Sequence, residues 1–214
     1  MKKIVILISG RGSNMEAIVQ ACTNQGWAAR VAAVISNEPD APGLAYATKL
    51  GIATGVVAHQ DYGTREAFDD ELARTIDGFG PDVVALAGFM RVLTPGFVRH
   101  YAGRLVNVHP SLLPAFPGLH THRRALDAGT KITGATVHLV TDQLDHGPIL
   151  IQAAVPVQPN DTEETLSKRV LDKEHQIYPQ AVRWMIEGTL RIQGNQVVQT
   201  EGEPQLLVEA RVAV

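Results

Sequence analysis

The 214-residue chain has one cysteine, few charges (19% Asp, Glu, Lys and Arg) and no long apolar run. Each shortage excludes something. Cys22 alone can form no internal disulfide and supply no multi-thiolate zinc site, and its spacing from Met15, Ile18 and Val19 reads as a core position on a helix. No stretch approaches the ~18 apolar residues of a membrane span. Met1-Lys2-Lys3 runs straight into the short apolar segment Ile4 to Ile8, which is too brief for a signal-peptide core. With 19 basic against 22 acidic residues, the formal charge is −3, and no long basic cluster is present to neutralise a phosphate backbone. A soluble, cytoplasmic protein that binds neither membrane nor nucleic acid is expected.

What is present is a 45% hydrophobic composition, enough for a substantial core and incompatible with disorder. Short apolar runs alternate with longer segments of helical period, and the runs lack the in/out alternation of strands exposed on one face. Strands are expected at residues 3–9, 31–36, 54–58, 83–87, 105–109, 133–141 and 149–157. Ser13-Asn14-Met15-Glu16 reads as a capping box opening the first helix, and Asp40-Ala41-Pro42 with Gly51 brackets the second. The third runs from about Thr64 to Asp77 with Phe68, Leu72 and Ile76 on one stripe, and Thr94-Pro95 caps a fourth. A long helix follows Asp161-Thr162-Glu163-Glu164 and leads to Gly188, bent or interrupted at Pro179. Short strands around Glu201-Gly202-Glu203-Pro204 finish the chain. No repeat or linker divides it. The expected fold is α/β: one domain, 1–214, built on an open, mostly parallel twisted sheet with helices on both faces, Rossmann-like. Residues 1–100 would form a phosphate-binding half, 101–190 a catalytic half, and 191–214 short strands that cover an edge.

Ligands in such sheets bind outside the carboxyl ends of the strands, so the chemistry is expected in the loops there. Ser9-Gly10-Arg11-Gly12-Ser13-Asn14 joins a buried strand to a helix, a place for a phosphate on backbone N–H groups, or simply a tight turn. It is not a dinucleotide fingerprint, because Met15 stands where that motif needs Gly or Ala. In Asn107-Val108-His109-Pro110, residues two apart on a strand share a side, so Asn107 and His109 can face one ligand. A histidine can protonate an oxyanion or a leaving nitrogen, and an amide can donate to developing negative charge; a satisfied histidine in a turn is the alternative. Asp142 and Asp145 lie in an acidic turn before Gly147-Pro148. A carboxylate there could stabilise the imidazolium of His109, or only form the turn. His120-Thr121-His122 with His109 or His138 suggests a metal, but no supporting ligand pattern accompanies them, and residues 116–121 read as a flexible flap. No metal is expected.

On Leu7-Ile8-Ser9-Gly10-Arg11-Gly12-Ser13-Asn14, Ala87-Gly88-Phe89-Met90-Arg91, residues 107–122 and residues 140–148, the chain resembles the folate-dependent glycinamide ribonucleotide transformylase family. The likeness extends from Ile4 to about Gly188. The resemblance implies formyl transfer from 10-formyltetrahydrofolate, the co-substrate, to the amine of glycinamide ribonucleotide in purine biosynthesis. It implies nucleotide binding by Gly12, Ser13 and Asn14 with Leu171, Asp172, Lys173 and Glu174. It implies folate binding by Arg65, Met90, Arg91, Val92, Leu93 and Asn107 with Thr141, Asp142, Gln143, Leu144 and Asp145. Asn107, His109 and Asp145 match the family's catalytic trio.

Three other readings compete. Formyltetrahydrofolate deformylases share the motifs but carry an extra N-terminal domain, and the first strand here is expected already at Lys3. Methionyl-tRNA formyltransferases carry a further C-terminal RNA-binding domain, and only a short, mildly acidic segment follows Gly188. A binding module without catalysis would be expected to lose one of the trio, and all three are present. Monomer and homodimer are both compatible with the sequence, in which no interface stripe stands out.

Overall fold

A computed structural model describes residues 1–208. The chain runs β1 (Lys2–Ile8), α1 (Ser13–Asn24), β2 (Ala29–Ser36), α2 (Pro42–Lys49), β3 (Ala53–Val56), α3 (Arg65–Asp77), β4 (Val83–Leu86), α4 (Pro95–His100) and β5 (Leu105–His109). It continues through α5 (Thr121–Asp127), β6 (Ile132–Leu139), β7 (Ile149–Pro156), α6 (Glu163–Glu187), β8 (Leu190–Gln193), β9 (Gln196–Gln199) and β10 (Leu206–Val208). Eight strands form one sheet in the order β10-β7-β6-β5-β4-β1-β2-β3, which spans both halves of the chain, and β8 and β9 form a separate hairpin.

The all-apolar run at β1 explains its central place. Ile4, Ile6 and Ile8 enter one core with α1 and α6, while Val5 and Leu7 enter a second core with α3 and α4. A strand buried on both faces needs no alternation, and parallel pairing with β2 and β4 completes it. The chain moves outward from β1 to β2 and β3, then returns to β4 on the other side of β1. The loops after β1 and β4 therefore diverge and open the crevice in which such sheets bind ligands.

Beyond β5 the architecture changes. β6 pairs antiparallel with β5 and with β7, and β10 lies parallel to β7 at that edge; residues 209–214 of the expected edge-covering segment lie outside the described residues. Val106 and Val108 of β5 and Ala135, Val137 and Leu139 of β6 join the core under α6. The second core takes Leu105 from β5 and nothing from β6 or β7. The face left without that second layer carries Asn107, His109, Thr136 and His138, and the 110–120 segment covers it. Helix packing ends where the polar side chains begin.

Two expectations need correction here. Helix α6 is continuous from Glu163 to Glu187 through Pro179, so the chain is not interrupted there. An internal proline costs a helix ~3 kcal/mol, but α6 is held to the sheet by buried Leu166, Val170, Ile177, Tyr178, Val182 and Trp184, which outweigh it. The Tyr178 hydroxyl also donates to the Leu86 and Val106 carbonyls, each at 3.0 Å. The second correction is α5, a helix over Thr121–Asp127 that carries His122 and that was not among the expected elements. Thr64, Thr94 and Thr162 do cap α3, α4 and α6, and Cys22 is a free, buried thiol in the first core.

Candidate active site

The β1–α1 turn is built on backbone geometry. Gly12 is the N-cap of α1, with φ 74° and no side-chain cap, and Glu16 N–H donates to the Gly12 carbonyl at 2.9 Å. The expected Ser13–Glu16 capping box is absent, because the left-handed Gly12 starts the helix one residue earlier and Ser13 is already helical. A Cβ at Gly12 would sit 3.1 Å from the Met15 side chain, so both conformation and space call for glycine. Just inside the helix, the buried Asn14 donates from Nδ2 to Glu174 Oε2 at 2.7 Å, while its own Oδ1 has no partner. Glu174 is buried on α6, and burial pushes its carboxyl up to about 7 against the lowering effect of the Asn14 bond. A helix N-terminus with no side-chain cap thus lies beside two buried oxygen-bearing side chains, a setting for a phosphate together with hydroxyl or amine donors. Of the neighbours on α6, Leu171 and Lys173 are half-buried and Asp172 is exposed.

The second cluster is a cross-strand assembly. Asn107 is directly opposite His138 in the β5–β6 ladder, and His109 is opposite Thr136. Asn107 Nδ2 lies 3.3 Å from His138 Nε2. The His109 ring reaches the Phe116 carbonyl with Nε2 at 2.9 Å and Asp145 Oδ2 with Nδ1 at 3.5 Å. Asp145 also accepts from Gly118 N–H at 2.8 Å, and its Oδ1 lies 3.8 Å from His138 Nε2. Burial, chiefly, holds the His138 pKa below the usual imidazole value.

Asp145 lies in the 140–148 loop, which returns on itself where Leu139 N–H donates to the Pro148 carbonyl at 2.9 Å. Gly147 permits the return, since a Cβ would overlap the Leu139 carbonyl. Asp145, Phe116 and His120 all have left-handed φ, of 51°, 53° and 57°. Three such non-glycine residues around one cluster are local strain, of a kind that gathers at functional sites. The segment expected as a flexible flap is therefore a tied cover. Arg124 stacks over the Phe116 ring at 5.5 Å and donates to the Pro117 carbonyl at 2.5 Å, besides the bonds to His109 and Asp145.

The residues expected to contact folate are more dispersed. Met90, Val92 and Leu144 expose 71%, 58% and 61% of their surface, an unusual openness for large apolar side chains. Arg91 stacks over Phe68 at 5.8 Å, Leu93 packs on the second core, and Arg65 opens α3 at the surface. Thr141, Asp142 and Gln143 line a cleft of about 510 Å³ with Val98, Arg99 and Leu139, and Asp142 pairs outward with Arg99 at 3.3 Å, away from the His109 cluster. A larger cleft of about 650 Å³ runs between α1 and α6 past Arg11, Ser13 and His175. Neither cleft is lined by Asn107, His109 or Asp145, and the trio lies beneath the 116–120 cover.

Two side chains make contacts that the sequence did not reveal. His138 was considered only as a metal ligand, although its place opposite Asn107 follows once β5 and β6 are paired. Ser9 links the two loops of the crevice, accepting from Met90 N–H at 2.7 Å and donating to Asn37 Oδ1 at 2.5 Å. The Phe116 carbonyl and Gly118 N–H left no sequence signal, since backbone groups carry none. Among the described residues, no group of three or more His, Cys, Asp or Glu side chains is placed to hold a metal ion. No helix there is long and apolar enough to cross a membrane.

A doubly wound sheet with a helix N-terminus after β1 and a His–Asp–Asn cluster after β5 is the architecture of an α/β enzyme. The chain belongs to the formyl transferase family, whose pattern matches residues 2–182. It is 52% identical over 192 residues to the phosphoribosylglycinamide formyltransferase of Escherichia coli K12, covering 90% of this chain and 91% of that one. It is 47% identical over 193 residues to the trifunctional purine biosynthetic protein adenosine-3 of Drosophila melanogaster, covering 89% of this chain and 14% of that protein. Among solved structures, glycinamide ribonucleotide transformylase 1 from Symbiobacterium toebii superposes with a TM-score of 0.89 at 46% identity, covering 92% and 93% of the two chains.

Proposed function

We propose that this enzyme moves the formyl group of 10-formyltetrahydrofolate onto the amine of glycinamide ribonucleotide, in the cytoplasm and as one formyltransferase unit over 1–214. The observation that carries the proposal is the pairing of two sites along the crevice. The Gly12–Asn14 turn with Glu174 suits a phosphorylated sugar bearing donors, and the Asn107–His109–Asp145 cluster suits an acyl centre. Met90, Val92 and Leu144 supply exposed apolar surface for a planar heteroaromatic ring, with Arg65, Arg91, Leu93 and residues 141–143 around it.

In this reading the nucleotide amine attacks the formyl carbon. A carbon–nitrogen bond forms and the carbonyl π pair moves onto oxygen. Asn107 N–H and a His109 N–H donate to that oxyanion, the largest contribution expected of the site. Both His109 ring nitrogens face acceptors, Asp145 and the Phe116 carbonyl, as suits an imidazolium that donates. The tetrahedral intermediate collapses with rupture of the bond to the folate nitrogen, which gains a proton as the new amide nitrogen loses one. Asp145, next to His109 and reached by the Gly118 amide, is placed to relay that proton. Because the Phe116 carbonyl occupies His109 Nε2, the cover must shift for that nitrogen to meet substrate.

The test is an assay with 10-formyltetrahydrofolate with and without glycinamide ribonucleotide, the product identified by mass. Nucleotide-dependent deformylation that yields the formylated nucleotide is expected. Formate release without the nucleotide would make the enzyme a hydrolase, and binding without any reaction would make it a binding module.

A further inference from the structure

His138 is the most buried titratable side chain of the His109 cluster, and formyl transfer as written above gives it no task. Its hydrogen bonds leave little choice of state. Nδ1 lies 2.9 Å from the Leu139 carbonyl oxygen, an acceptor only, so Nδ1 carries a proton. Four influences then act on Nε2. Burial disfavours the charged ring most strongly, the Leu139 carbonyl and Asp145 favour it, and His109 opposes it, with the net effect toward the neutral imidazole. In that state Nε2 is a lone pair, and the group facing it at 3.3 Å is the Asn107 amide nitrogen.

An Asn side chain has an acceptor end and a donor end, and only the donor end contributes to an oxyanion site. With Nδ2 held by one N–H against His138 Nε2, the second N–H remains for the developing oxyanion, and Oδ1 is turned away. Were the ring protonated at Nε2, donor would face donor, and the amide would turn over to present its oxygen. The unbroken β5–β6 register, Asn107 opposite His138 and Val108 opposite Val137, sets the two side chains against each other.

We propose that His138 is a positioning residue, whose neutral Nδ1–H ring accepts a hydrogen bond from Asn107 and fixes the amide with its donor end toward the reacting carbonyl. The proposal rests on Asn107 acting as an oxyanion donor in formyl transfer.

The test exploits two shapes. Glutamine places an acceptor oxygen near the position of Nε2, whereas asparagine mimics Nδ1 and cannot reach Asn107. His138→Asn is expected to lower kcat by about 10- to 100-fold, approaching the loss of an oxyanion donor, with KM for both substrates and Tm unchanged. His138→Gln is expected to stay within about threefold of the parent. In an Asn107→Ala background, His138→Asn is expected to change kcat less than about twofold, since it acts through the missing amide. Parental kcat in His138→Asn, or full additivity of the two losses while Asn107→Ala alone is impaired, would overturn the proposal and leave the function intact. Parental kcat in Asn107→Ala would remove the oxyanion role and the proposal with it. Should His138→Asn not fold, nitrogen-15 NMR of the unmutated protein decides: a His138 ring protonated at Nδ1 and bare at Nε2 is expected, and an Nε2-protonated ring contradicts it.

Discussion

The two halves of the crevice place their functional groups by different means. On the parallel side, around β1 and α1, the parts are a left-handed glycine, the N–H groups of a helix start, and one Asn–Glu bond to α6. On the antiparallel side, between β5 and β6, they are side chains set against one another by strand pairing, with backbone groups of the 116–118 segment closing over them. The first arrangement suits recognition of a fixed charge, which backbone amides and a helix dipole perform at no cost in side-chain order. The second suits chemistry, where donors must be held in register to act on charge that develops only in the transition state.

If that division is right, substitutions on the two sides fail differently. The largest effect belongs to the strand side. Asp145→Asn is expected to lower turnover by about 10²-fold or more and to alter the pH–rate profile while folate affinity stays largely intact, and Asn107→Ala to lose kcat on the same scale. Steady-state kinetics across pH check both, and wild-type turnover in Asp145→Asn would dissolve the distinction.

Next comes Glu174 on the loop–helix side, where the effect is on stability and its pH dependence. Its carboxyl is pushed up to about 7 from an ordinary value of 4.5, so the folded chain holds that proton more tightly than the unfolded one. Stability associated with it is complete below 4.5 and lost as pH rises through about 7. Glu174→Gln removes the titration, so above pH 7 the variant should exceed the parent by up to ~3 kcal/mol, with the difference vanishing toward pH 4.5. Urea unfolding at several pH values measures it, and a constant difference would contradict the buried-carboxyl account.

How much of this was legible in the sequence divides along the same line. The strands of the parallel side were readable because apolar runs and helix caps are local signals, and the Gly12–Asn14 turn announced itself in one short motif. Asn107 and His109 were readable as a pair because residues two apart on a strand share a face, and they do. Their partners were not. His138 lies 31 residues from Asn107, and only the antiparallel register brings the two together. Asp145 came from family resemblance, since an acidic turn before Gly-Pro has an ordinary explanation. The capping box failed because a Ser-x-x-Glu pattern cannot reveal that a preceding glycine has already turned the chain. Pro179 misled because its local penalty is small beside the packing of a long helix on a sheet.

Smaller effects sharpen the contrast. Gly147→Ala, which forces a Cβ against the Leu139 carbonyl, should destabilise by about 2 kcal/mol and displace Asp145, lowering kcat as well as Tm. At the bottom of the scale, Ser13→Ala should change stability by less than about 0.5 kcal/mol, because Ser13 is not the N-cap of α1. Thr162→Ala, at the true cap of α6, should cost ~1 kcal/mol. Thermal unfolding of the pair tests the correction, and the reverse order would restore the capping box.

The most direct test of the central claim is the single-turnover rate of formyl transfer in His109→Ala, with both substrates saturating and nucleotide affinity measured alongside by calorimetry. A rate lower by about 10²-fold or more with unchanged nucleotide affinity is expected if the strand pair carries the chemistry and the loop–helix pocket the binding. A parental rate, or a loss confined to nucleotide affinity, would contradict it.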